Sequence, residues 1–184
     1  MSPRTRQAAA RAGRCLGGSA GLLLVVLAVA GCGGASQDGP LVVGTTPGTL
    51  CMVAPDGQIV TWGWEVVTNE GDGPVTLVDV GLEDPSSLAV VEAWVVPVEM
   101  TLVGNQTVFP PDPEVSPQWA QRREAPGAVL EPGEAANLVL AVRPQGGADG
   151  TAAGTRTRYV DDSGRTFSAT AATALEVLQS KPQC

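Results

Sequence analysis

The sequence predicts an all-β fold, a single antiparallel β-sandwich, on three observations. Short apolar runs alternate with a period of two, Gly- and Pro-rich turns separate them, and few stretches hold the 3.6-residue periodicity of a surface helix. The part of the chain that can build a core, residues 41–184, has a length that suits one domain.

From the N-terminus, Arg4, Arg6, Arg11 and Arg14 make a positive segment with no acid, and nine strongly apolar residues follow at 22–30. A helix that crosses a bilayer needs about 20 apolar residues, so this run is short for a permanent span and suits the apolar part of an export signal. Small residues then lead directly to a cysteine, Val29-Ala30-Gly31-Cys32. The arrangement resembles the bacterial lipobox. That resemblance implies that residues 1–31 are removed as a lipoprotein signal peptide and that Cys32 becomes a diacylglyceryl-modified N-terminus. An uncleaved signal anchor with an incidental Cys32 is the alternative. One acyl chain holds a protein to a membrane marginally, at about 0.8 kcal/mol per buried methylene, whereas a lipobox cysteine carries at least two chains. Residues 32–40 contain no large apolar side chain and read as a flexible tether.

The domain, residues 41–184, is then read strand by strand. In "TWGWEVVTN", period two puts Trp62, Trp64, Val66 and Thr68 on the core side and Thr61, Glu65, Val67 and Asn69 on the other. "EGDGP" reverses the chain and "VTLVDVGL" resumes it, which predicts a hairpin over 59–82. "LAVVEAWVVPVEM" is too rich in Val for a good surface helix, and Pro97 would interrupt one. Trp94, like Trp62 and Trp64, falls in a strand pattern and is expected in the core. "ANLVLAV" follows the turn "EPGE", "TRTRYV" turns through "DDSG" into "RTFSAT", and "TALEVL" ends the series. Gly164 can take the left-handed conformation that such a turn needs.

The succession "TNEGDGPVTLVDV", "LEPGEAANLVLAV" and "YVDDSGRTFSATAATALEV" resembles the immunoglobulin-like domains of bacterial envelope lipoproteins, over about two thirds of the mature chain. Heavy use of Arg over Lys, with abundant Ala, Gly, Val and Pro, resembles the coding bias of actinobacteria. The resemblance implies an immunoglobulin-like β-sandwich in the cell envelope. Residues 99–127, which hold five of the fifteen prolines, depart from it.

Without the signal arginines, seven basic residues face nineteen acids, a formal balance of −12. Such a surface argues against a nucleic-acid partner and against docking on anionic lipid by charge. Cys15 leaves with the signal and Cys32 would be lipidated, so Cys51 and Cys184 remain. An even pair outside the cytoplasm favours a disulfide, with a reactive thiol or a metal pair as the alternatives.

The chain has no histidine, which removes Ser-His-Asp and Cys-His nucleophile activation and the commonest zinc sites. It has no phosphate-cradling glycine motif. Met52 and Met100 lack histidine partners for copper and suit core gaps. Neither a cofactor nor a metal is therefore expected. Asp56, Asp72, Asp84, Asp112, Asp149 and Asp162 stand beside Gly or Pro, or one residue away, where Asp stabilises turns. Asp161-Asp162-Ser163-Gly164 lacks the ligand spacing of a calcium loop and reads as a hairpin turn.

In "VFPPDPEVSPQWAQRREAPG", Trp119 with Arg122 and Arg123 forms a positive, amphipathic island in an acidic protein. Two readings stand open. The island binds an envelope protein partner, as Trp and Arg do at interaction hot spots, or Trp119 closes an open edge of the sandwich. The expected function is a lipid-anchored, extracytoplasmic, non-catalytic binding or structural module, with no small-molecule substrate identified. A surface hydrolase using carboxylates alone and an accessory subunit of an envelope transporter or sensor are the alternatives.

Overall fold

The computed structural model describes residues 39–44, 46–98, 101–180 and 184. The signal-peptide and lipobox expectations, with Cys32, fall outside the described residues, as do Glu99 and Met100.

Along the chain run β1 (Leu41–Val43), β2 (Gly48–Val53), β3 (Val60–Asn69), β4 (Val75–Glu83), β5 (Leu88–Pro97) and β6 (Arg123–Glu124). They are followed by β7 (Val129–Leu130), β8 (Ala135–Pro144), β9 (Gly150–Ala152), β10 (Gly154–Asp161), β11 (Thr166–Thr170) and β12 (Thr173–Leu178). One sheet has the order β1-β3-β8-β5-β6 and the second β11-β10-β4-β7. With β1, β3, β4, β5, β8, β10 and β11 lettered A to G, the first carries A-B-E-D and the second C-F-G. That is the strand order of a constant-type immunoglobulin sandwich. A third sheet, β2-β12-β9, adds the one departure from antiparallel pairing among the described strands, since β12 runs parallel to β2.

Apolar side chains from facing strands fill the space between the two main sheets. Trp62, Leu138 and Leu140 meet Leu77, Tyr159 and Phe167 there. Tyr159 stacks on Phe167 with ring centroids 5.4 Å apart, and its hydroxyl accepts the Leu41 amide at 3.1 Å, which ties β1 to the second sheet. Strand β8 is buried on both faces. Ala136, Leu138, Leu140 and Val142 enter the main core, while Val139 belongs to a second apolar cluster on the outer side.

Two expectations change. Residues 59–82 are not a hairpin, because β3 pairs with β8 and β4 pairs with β10. The segment between β3 and β4 carries the chain from one sheet to the other. Asn69 organises it: its side-chain oxygen accepts the Gly71 amide at 3.0 Å, and its amide donates to the carbonyls of Gly73 and Leu130 at 2.9 Å each. Turn residues signal a reversal without saying whether it stays within a sheet.

The second change is the facing of β3. A bulge between Trp62 and Glu65 inserts residues into the ladder and reverses the parity of the strand. Trp62 is fully buried as expected, but Trp64 is 45% exposed, and the inward places pass to Glu65, Val67 and Asn69. Asn137 on β8 holds the bulge by donating to the carbonyls of Gly63 at 3.0 Å and Glu65 at 2.7 Å. The loop at 103–106 lies over it, close enough that a Cβ on Gly63 would stand 2.5 Å from the Gly104 carbonyl oxygen.

Candidate functional site

The Pro-rich segment folds over the outer face of the first sheet. A 3-10 helix, Pro117–Gln121, sets Trp119 down on Val96, Val103 and Val139, with Trp94 and Phe109 packed against the same cluster. Trp119 meets Trp94 and Phe109 edge-on, with centroids 5.7 and 5.8 Å apart, and is only 6% exposed. Hydrogen bonds hold the segment from beneath. The Ser116 hydroxyl donates to the Val103 carbonyl at 3.0 Å and receives the Gln106 amide at 2.9 Å, and the Val103 amide donates to Asn137 at 2.8 Å.

Arg122 and Arg123 are exposed but engaged. The Arg122 guanidinium lies 4.8 Å from the centre of the Trp119 ring and 5.3 Å from that of Trp94, and it donates to the Trp119 carbonyl at 3.2 Å. Arg123 pairs with Glu134 at 2.8 Å and donates to the Val129 carbonyl. Of the two readings of this island, packing is what Trp119 does in the fold. What it covers is a sheet face, not an open edge of the sandwich. Trp94 is correspondingly half-buried in this outer cluster and not in the main core.

Cys51 on β2 is bonded to Cys184, with Cα atoms 5.8 Å apart. Met52 beside it fills the main core. The turn aspartates do local work. Asp161 accepts from the Ser163 amide and hydroxyl and from the Arg165 amide and guanidinium, and its ion pair with Arg165 measures 2.7 Å. Hydrogen bonding from Ser163, aided by Arg165, lowers its pKa from the usual 3.8 to about 2. Asp149 accepts the Gln179 and Ser180 amides, and Asp112 accepts the Glu114 amide. Asp56 and Asp84 occupy left-handed backbone positions, with φ of 57° and 45°.

The residue that sequence reasoning missed is Glu65. It is 1% exposed and borders a cavity of about 350 Å³ beside the end of β1. Trp64, Val42, Val66 and Leu102 give the cavity apolar walls. Gly44 lies against the carboxyl, with Ala171 beside it, and comes so close that any side chain there would strike the Glu65 Oε2. Burial pushes the Glu65 pKa up. The Thr173 hydroxyl gives its proton to the Thr46 carbonyl at 2.9 Å, and among the described residues neither Glu65 oxygen has a hydrogen bond. A buried acid without a partner is costly, and an unexplained one marks a candidate site. The period-two reading had placed Glu65 on the non-core face, so its burial carried no signal in the sequence.

A larger hollow of about 530 Å³ is lined by Val90, Glu92, Trp94 and Glu124 among others. There Glu92 already accepts the Trp94 indole N–H at 3.1 Å.

No protein-family model matches the chain, and no curated protein does. Among solved structures, the secreted serine protease VesC from Vibrio cholerae is similar at 12% identity and a TM-score of 0.36, over 80% of this chain and 25% of that one. The chain thus spans a quarter of the protease's length. PapD-like domain 7 of human CEP192 is similar at 10% identity and a TM-score of 0.37, over 80% of this chain and 89% of that one. Scores this low carry no argument about what the chain does.

Proposed function

We propose that the chain is a lipid-anchored, extracytoplasmic envelope protein whose immunoglobulin-like sandwich is a non-catalytic binding module. The observation that carries this reading is the Cys51–Cys184 disulfide, which spans 133 residues and suits an oxidising compartment. It stands behind an N-terminal pattern of arginines, a short apolar run and Cys32 that matches export followed by lipidation.

The histidine-free composition supports the non-catalytic part. A carboxylate-only hydrolase works with two acids across one site, about 5 to 9.5 Å apart in glycosidases. Acids do share hollows, Glu92 with Glu124 and Asp161 with Asp72 and Asp162, but Glu92 accepts the Trp94 indole N–H and Asp161 holds its own turn. Glu65 has no second acid among the described residues that line its cavity.

Metabolic labelling with a fatty acid in an exporting bacterium tests the anchor. The wild-type chain should take up label and be cut before Cys32, and Cys32→Ser should take up none and keep or misprocess its N-terminus. Label on Cys32→Ser would overturn the lipid-anchor reading.

A further inference from the structure

We infer that the hollow along the edge of β5 is a docking site for an extended segment of a partner protein that carries alternating apolar and basic side chains. The inference deepens the binding-module reading and rests on it, because it supplies the kind of partner that reading leaves open.

The shape of the hollow points to a strand. Val90 and Ala93 pack against the main core, while Trp94 belongs to the outer cluster and holds Glu92 on that side through its indole N–H. All four line the same hollow, together with Val80 of β4, Glu124 and Pro126. A hollow that touches residues from both faces of a strand runs along that strand's edge. The edge is bare there. Strand β6 pairs with β5 at Trp94 and Val95, and the Ala125 amide donates to the Ala93 carbonyl at 2.9 Å. The next residue is Pro126, which has no N–H to continue the ladder. The chain then leaves for β4, where the Gly127 amide donates to the Leu77 carbonyl at 2.8 Å. Residues Ala89 to Glu92 therefore have β8 on one side and, among the described strands, no partner on the other. An added segment would lie in line with β6, where this chain turns away.

The lining selects the side chains. A bare strand edge offers N–H and C=O groups to an incoming backbone, whose alternate side chains face opposite sides. On the core side they would meet Val80, Val90 and Ala93, which suit small apolar residues. On the outer side they would meet Glu92 and Glu124, since Glu124 stands opposite Trp94 in the ladder and shares its face. Neither acid is in an ion pair among the described residues, because Arg123 pairs with Glu134 and Arg122 is stacked over Trp119 and Trp94. A lysine or arginine from the partner would complete those pairs with oxygens that the single indole bond leaves available.

The same charges argue against a second copy of this chain as the occupant. Edge-to-edge pairing of two β5 strands would bring the Glu92 and Glu124 carboxylates of both copies together. A bulge at Val91, which has no partner on β8 and is 42% exposed, also breaks the long flat edge that such self-pairing uses.

Calorimetric titration of the purified full-length protein in detergent with three synthetic peptides tests the site. The first, acetyl-Lys-Val-Lys-Val-Lys-Val-amide, should bind. The second has glutamate for each lysine and should bind at least about tenfold more weakly. The third keeps the side chains of the first but carries a methyl group on every backbone nitrogen, which removes the donors of a ladder, and it should also lose about tenfold or more. Glu92→Gln combined with Glu124→Gln should weaken the first peptide about tenfold. Glu70→Gln combined with Glu114→Gln makes the same charge change at exposed acids outside the hollow and should leave binding within about twofold.

Equal binding of the acidic or the methylated peptide, undiminished binding by the Glu92 and Glu124 variant, an equal loss from the Glu70 and Glu114 variant, or no binding of the first peptide would overturn the inference. Sedimentation of the protein as a dimer that the first peptide breaks into monomers would put a second copy on the edge and overturn it as well. The fatty-acid labelling of Cys32 is independent of these titrations, so failure of the edge site and failure of the anchor reading are told apart.

Discussion

Asp161 shows how much one side chain can organise when every neighbour points at it. Its carboxylate holds the β10–β11 turn through Ser163 and Arg165, and that turn was legible in the sequence because "DDSG" names both the acceptor and the glycine, Gly164, whose φ is 81°. A carboxyl whose folded pKa is depressed adds stability above its unfolded value and loses it as pH falls through its folded one. Acidification from about pH 4 to about pH 2 should therefore lower the melting temperature. Asp161→Asn should melt lower than wild type at pH 7, decline less over that window and converge with wild type near pH 2, as followed by circular dichroism. Glu65 is the opposite case. Nothing beside it in the sequence distinguishes a buried acid from a solvated one, since the bulge that turns it inward depends on Asn137 from a strand 72 residues away.

At the scale of elements, β3, β4, β5, β8, β10, β11 and β12 were legible while β1, β2, β6, β7 and β9 were not, and of the pairings only the β10–β11 hairpin was legible. Each of the runs read as a strand is a strand, because alternation, β-branched residues and turn punctuation act within a few residues. Whether β3 returns beside itself or crosses to the second sheet is decided by β8, which slots between β3 and β5. The Pro-rich segment illustrates the same limit. Its composition suits a binding loop and a cover equally, and only the apolar outer side of β8 and β5 decides between them. Trp119→Ala should leave an unfilled site over Val139 and destabilise the protein by about 3 to 5 kcal/mol in urea unfolding. Arg123→Ala removes an exposed ion pair and should cost about 1 kcal/mol or less. A smaller loss for Trp119→Ala than for Arg123→Ala would show that the outer cluster contributes little to the fold.

For the whole molecule, the Cys51–Cys184 bond closes a loop across nearly all of the sandwich. In the chain-entropy view such a loop stabilises by up to about 5 kcal/mol, with engineered examples often lower. Reduction, or Cys51→Ser, should lower the urea midpoint while leaving the far-ultraviolet circular dichroism of the native state in place, because β2 is held independently by its pairing with β12. An unchanged midpoint would show that the reduced chain keeps the same unfolded-state freedom as the bonded one.

That same bond divides the molecule mechanically. Strand β1 lies outside the covalent ring, joined to the rest by three ladder pairs with β3 and by the Leu41 amide on the Tyr159 hydroxyl. Tension arriving through the N-terminal side, as it would on a tethered protein, reaches β1 first and can peel it away, but the slack ends at Cys51. Ten residues at about 3.5 Å each span at most about 35 Å, which bounds how far the chain can extend before the ring takes the strain, so the domain can yield at its N-terminal end while its interior stays folded.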